Sequence, residues 1–174
     1  MSRRTLLSLF ILVGGAFAAA RPGLAQDPAP AEVPAAAPAE APAAPVPPAG
    51  AVSLLIANHS AGMAPFTDKR QFQALFRGTL QTTPSGARVL IYVLPVHDVA
   101  LQDLLEKTLS WSEVVFERQI PTTEATLGRI YFKRLSSSSD VLKAVSSDPG
   151  GVGVVSADTA LNPNVVILWP PVAP

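Results

Sequence analysis

Beyond residue 50 the apolar positions fall into short blocks, parted by Gly, Pro, Asn and Ser. Val52-Ser53-Leu54-Leu55-Ile56-Ala57 is a nearly continuous run with branched residues, which predicts a strand buried on both faces. Asn58-His59-Ser60-Ala61-Gly62 ends it as a loop. Thr67 stands where a helix cap is expected, with Asp68 in the first turn, and Phe72, Leu75 and Phe76 share one face before Gly78. After a turn at Pro84-Ser85-Gly86, Arg88 to Leu94 predicts a second strand, closed by Pro95.

Helical spacing resumes with Asp98 as a cap and Leu101, Leu104, Leu105 and Leu109 as an apolar stripe. Ser110 and Glu113 form the S-x-x-E pattern of a capping box, and Leu109 and Val114 occupy the positions of a hydrophobic staple, so one helix should end near Leu109 and another start at once. Trp111 falls in that first turn and reads as packing. Pro121-Thr122-Thr123 predicts a break, and Leu127, Ile130, Tyr131 and Leu135 a further helix. A polar run, Ser136 to Ser139, precedes a helix with Val141, Leu142 and Val145 inward. Asp148-Pro149-Gly150-Gly151 reads as a turn, Val152 to Val155 as a glycine-interrupted strand, Ala157 to Leu161 as a helical turn, and Val165 to Leu168 as the last strand. Strands alternating with helices predict the α/β class, with helices packed on a sheet.

The chain before this part has another character. Arg3 and Arg4 precede an apolar run from Leu6 to Ala20, shorter than the ~20 residues of a membrane-spanning helix. Gly23-Leu24-Ala25 supplies the small residues that a signal peptidase reads, so residues 1–25 are expected to be a signal peptide; cleavage after Ala20 and an uncleaved anchor are the alternatives. Ser2 to Leu7 also partly matches a twin-arginine export signal. Once cleaved, the chain is expected to have no stable membrane insertion. Residues 26–50 are mostly Ala and Pro, which predicts a semi-stiff, solvated linker. At ~3.1 Å per residue such a segment reaches about 75 Å. A folded part of residues 51–169 and a Pro-rich tail of 170–174 complete the division.

The chain has no cysteine, so neither disulfides nor a lipidated cysteine can hold or anchor it. Residues 51–174 carry ten Lys plus Arg and ten Asp plus Glu, which offers nothing to attract nucleic acid. His59 and His97 are the only histidines, and no nucleophile elbow or phosphate-loop glycine pattern occurs. No enzyme, metal site or cofactor is therefore expected. Polar residues at a strand end and at a helix start are the better candidates. Asn58, His59 and Ser60 follow the first strand, Ser138 and Ser139 open a helix whose free N–H groups favour anions, and Arg77 precedes Gly78. Capping and a solvated loop account for the same residues without a ligand.

Three stretches resemble the phosphate-type substrate-binding proteins of bacterial ABC transporters. The first is Val52 to Asn58. The second is Phe72-Gln73-Ala74-Leu75-Phe76-Arg77-Gly78 with Gly86 and the strand to Val93, which is similar to the family's "L-x-x-I-F-x-G … G" segment. The third, Val141 to Val155, is similar to its "V-x-x-x-P-G-x-I-G-Y" ending. The resemblance implies a periplasmic-binding-protein-like (type II) single lobe, a mixed sheet flanked by helices, working outside the cytoplasmic membrane. It also implies capture of phosphate or a related small oxyanion by a non-enzymatic domain. Three positions depart from it: Thr82-Thr83-Pro84 lacks the usual tryptophan, His97-Asp98 replaces a Ser-Gly-Ser turn, and Val154 replaces the final aromatic. An Asp at that turn repels a fully ionised oxyanion. An envelope module that binds a protein partner, or a homodimer, is the other expectation.

Overall fold

The computed structural model describes residues 43–170. The expected signal peptide, most of the linker and the end of the tail lie outside them. Five strands form one sheet: β1 (Ser53–Asn58), β2 (Leu90–Val93), β3 (Phe132–Arg134), β4 (Gly151–Ser156) and β5 (Val165–Trp169). Their order is β3-β2-β4-β1-β5. β2 runs parallel to β3 and β4, whereas β1 lies antiparallel between β4 and β5. Among the described residues the α-helices are α1 (Lys69–Phe76), α2 (Val99–Leu104), α3 (Glu113–Leu127) and α4 (Ser138–Ser147). The result is a single α/β lobe with a mixed sheet flanked by helices, consistent with the type II periplasmic-binding-protein-like expectation.

Alternation along the strands decides which helix covers which face. Gly153 lies opposite Ile56 and Tyr92, and a Cβ on it would stand 2.5 Å from Val141 Cγ1 and 2.7 Å from Val145 Cγ2. Only glycine lets α4 come this close, which explains the interruption of an otherwise branched strand. The other face carries Phe132, which joins Phe72 and Phe76 of α1 and Phe116 of α3. Phe72 and Phe76 stack at 4.7 Å, and Phe116 meets Phe132 edge-on at 5.7 Å. Burying such rings contributes more than any polar contact in the lobe.

Several local expectations are corrected. The α1 cap is Asp68, which accepts from Arg70 N, rather than Thr67. The capping box does not form. The chain continues from α2 through a π turn, Leu105–Leu109, and Ser110 then adopts φ 56. Ser112 caps α3 without a side-chain bond, and Val114 is 66 % exposed, so there is no staple either. Pro121 does not break the chain but sits within α3. It is exposed, so water can reach the carbonyl that loses its donor.

The helix expected over Leu127 to Leu135 is instead the end of α3 followed by β3. Gly128, at φ 63, ends α3. Glu124 Oε1 accepts from Tyr131 N and Phe132 N at 2.9 and 3.1 Å, and the Arg129 guanidinium donates to Val89 O at 2.9 Å. These bonds hold the segment extended beside β2, and residues 157–161 contain a turn rather than a helix.

Candidate functional site

In an α/β sheet the crevice outside the carboxyl ends of the parallel strands is the usual ligand position, because loops and helix N-termini meet there. At this edge β2 leads through His97 and Asp98 into α2, and β3 leads through Ser136 and Ser137 into α4. Ser156 ends β4. Ser53 joins the same edge because β1 runs the other way and pairs Ser53 with Ser156.

Most polar groups at this edge already have protein partners. Ser138 Oγ accepts from Ser156 N at 3.0 Å. Ser137 Oγ caps α4 by accepting from Asp140 N at 3.2 Å, lies 2.7 Å from Asp140 Oδ2 and is 2.9 Å from Ser139 Oγ. Asp98 Oδ1 accepts from Ala100 N at 2.9 Å, so this aspartate is a helix cap. His97 Nδ1 lies 3.4 Å from Glu113 Oε2, and Arg134 pairs with Glu117. Glu113 and Glu117, one turn apart on α3, thus tie it to the ends of β2 and β3. Ser53 Oγ donates to Asp103 Oδ2 at 2.9 Å, and Asp103 also pairs with Lys107.

Asn58, His59 and Ser60 lie elsewhere. Although they follow a strand's carboxyl end, the antiparallel direction of β1 puts them at the amino edge of the parallel strands, beside the end of α4 rather than its start. At 1.5 Å per residue, the length of α4 separates them from Ser138 and Ser139 by roughly 13 Å. Asn58 is buried, and its amide donates to Val145 O at 2.8 Å and Ser146 O at 3.1 Å. Its carbonyl oxygen accepts from Ser60 N at 2.8 Å and Ser60 Oγ at 2.7 Å. An amide has two donors and two acceptor sites, so none is left for a ligand. His59 and Ser60 are exposed and line a shallow opening of about 400 Å³ with Ser146, Ser147 and Asn164.

Arg77 shares its surroundings with none of these residues. It is exposed at the end of α1 and lines a groove of about 230 Å³ with Gln119 and three threonines of α3. The six expected ligand residues therefore occupy three places rather than one cleft. A further cavity contains none of them. It measures about 490 Å³ and is lined by Trp111, Glu106 and Glu113 among others. The sequence marked Ser110 and Glu113 there as a capping box and Trp111 as packing, and none of these patterns points to a cavity.

Both tyrosines are held protonated. Burial, followed by the charge and the hydrogen bond of Asp148, pushes Tyr92 up to about 12. Burial also raises Tyr131, whose hydroxyl reaches Leu80 O at 2.7 Å, and the Arg129 charge opposes the shift only in part. Each has a structural partner, and neither faces a cavity described here. Among the described residues, no three His, Asp or Glu are placed to hold a metal ion, and no helix is long and apolar enough to cross a membrane.

No family profile matches the chain, and no curated protein matches it. Among solved structures it is similar to an ABC-type phosphate transport receptor from Vibrio cholerae, with 10 % identity and a TM-score of 0.40. The likeness covers 67 % of this chain and 45 % of the receptor, so the chain spans less than half of the receptor's length.

Proposed function

We propose that residues 51–169 form a non-enzymatic, extracytoplasmic solute-binding-like domain that takes phosphate or a related small oxyanion at the start of α4. The supporting observation is that the Ser136–Ser139 run and the N-terminus of α4 stand at the carboxyl edge of β2, β3 and β4. The first amides of a ten-residue helix have no partner within it, and the positive end of its dipole favours an anion. Ser139, exposed beside them, adds a hydroxyl donor on releasing Ser137 Oγ, whose own proton goes to Asp140. Arg134 ends β3 next to this point and would have to exchange Glu117 for the ligand. Asp140, in the first turn of α4, opposes a fully charged anion and favours one that still carries a proton.

On this reading the signal peptide delivers the domain to the periplasm or beyond, and the Ala/Pro segment is its tether. Isothermal calorimetry with phosphate, sulfate and small carboxylates tests it. Heat that saturates, and that weakens in Arg134→Gln, is expected; silence from every anion at millimolar concentration refutes it.

A second reading, an envelope protein-interaction module without solute binding, is favoured by the dispersal of Asn58, Arg77 and Ser138 over three places. A pull-down from envelope extract that recovers no specific partner counts against it. A two-lobed homodimer is the form in which the two readings meet, and sedimentation showing a monomer with and without phosphate excludes it.

A further inference from the structure

The cavity of about 490 Å³ between α2 and the start of α3 owes its shape to an unusual helix ending. The π turn adds a residue to the end of α2, and Ser110 then reverses the chain in the left-handed region. Ser110 N bonds Glu106 O and Trp111 N bonds Leu105 O, both at 3.2 Å. After the reversal Trp111 lines the same opening as Glu106, and Glu113 lines it from α3. π turns and non-glycine residues in this region are found disproportionately at binding sites.

The lining has a consistent chemistry. Glu106 is exposed and has no ion pair among the described residues. The ion-pair partner of Glu113 is His97, whose side chain is 82 % exposed. No basic side chain lines the cavity. Val99, Gln102 and Glu106 recur at spacings of three and four and so share one face of α2 and the π turn. Val99 on that face of α2 is 70 % exposed, and Val114, the residue after Glu113 on α3, is 66 % exposed, so exposed apolar side chains stand near the opening on both helices.

We propose that this cavity receives an arginine or lysine side chain of a protein partner, carried on a segment with apolar neighbours. A cation gains from the indole face and from charge-assisted bonds to two carboxylates, whereas an anion is repelled by both. The flanking valines favour a chain segment over a free cation, because a free cation leaves them in water. Charge complementarity of this kind sets partner choice and orientation. The proposal goes beyond solute capture and does not depend on whether the start of α4 takes an anion.

The test uses the full chain, isotopically labelled, and three blocked tripeptides, Leu-Arg-Leu, Leu-Gln-Leu and Leu-Glu-Leu, with arginine amide as the free cation. Amide shifts on adding Leu-Arg-Leu should saturate and cluster from Gln102 to Val115. Affinity should fall about tenfold, or 1.4 kcal/mol, in Glu106→Gln and in Glu113→Gln, and Leu-Gln-Leu should bind at least as weakly to the parent chain. Added salt should weaken the binding further. Unchanged circular dichroism shows that both variants fold. Shifts that are absent or scattered at millimolar peptide overturn the proposal, as does equal binding of the Arg and Gln peptides. Arginine amide binding as tightly as the tripeptide overturns the protein partner and identifies a small-cation site. A phosphate titration of the same sample reports on the solute-binding reading separately.

Discussion

Replacing Asn58 separates a structural role from a ligand role. Its side chain makes four hydrogen bonds and is buried, so Asn58→Ala removes all four while leaving the end of α4 in place. A buried bond contributes about 1 kcal/mol net, and the freed α4 carbonyls are partly bonded already, since Asp148 N reaches Val145 O at 3.3 Å. The expected loss is about 2–4 kcal/mol, a large part of the 5–15 kcal/mol that holds a typical domain together. Asn58→Asp should cost at least as much. It keeps the acceptor bonds from Ser60 but places a carboxylate against the carbonyl end of α4, where the dipole is negative. Urea unfolding followed by circular dichroism measures both variants, with an unchanged m-value showing that the folded state stays compact. A ligand role predicts the reverse, namely intact stability and lost anion binding. Asn58→Ala within about 0.5 kcal/mol of the parent would refute the structural role, since four buried bonds cannot vanish so cheaply.

Other residues give equally direct outcomes. The chain has only two tyrosines, and both are raised above the ordinary value of 10, so the folded protein should show almost no phenolate absorbance at pH 10 to 11 while the urea-unfolded chain titrates normally. Since the folded Tyr92 value is the higher one, its contribution to stability is complete below pH 10 and is lost as pH rises toward about 12; Tyr92→Phe should flatten that part of the pH–stability curve. Gly153→Ala should destabilise by about 1–3 kcal/mol through collision with Val141 and Val145, and Val141→Ala in the same chain should recover part of it; two independent, additive losses would show that the contact is not the cause. Ser110→Gly should raise stability by about 0.5–1 kcal/mol by relieving the left-handed residue, and a lower urea midpoint would contradict that.

The class of fold could be read from the chain because its signals are local. The continuous apolar blocks at residues 52–57, 88–94, 152–155 and 165–168 mark four of the five strands, and the stripes through Phe72, Leu101 and Val141 mark three of the four helices. Where local signals compete, tertiary contacts decide. Leu127, Ile130, Tyr131 and Leu135 fit a helix as well as a turn and a strand, and the choice falls to Glu124, which holds the backbone of Tyr131 and Phe132, and to Arg129, which reaches Val89 O far back in the chain. Ser110 and Glu113 satisfy a capping pattern, yet the end of α2 takes Ser110 for its own reversal and leaves the cap to Ser112.

The candidate residues show the same division. The sequence by itself determined that Asn58 ends a strand and that Ser138 and Ser139 open a helix. Only the tertiary structure decided that they lie at opposite edges of the sheet, because strand direction is set by long-range pairing and leaves no mark in the strand's own residues. It also decided that Asn58 spends its amide on α4, and that Trp111, Glu106 and Glu113 meet around one cavity. Residue types and spacings state what a side chain is able to do; which partner reaches it first is settled by packing across the whole lobe.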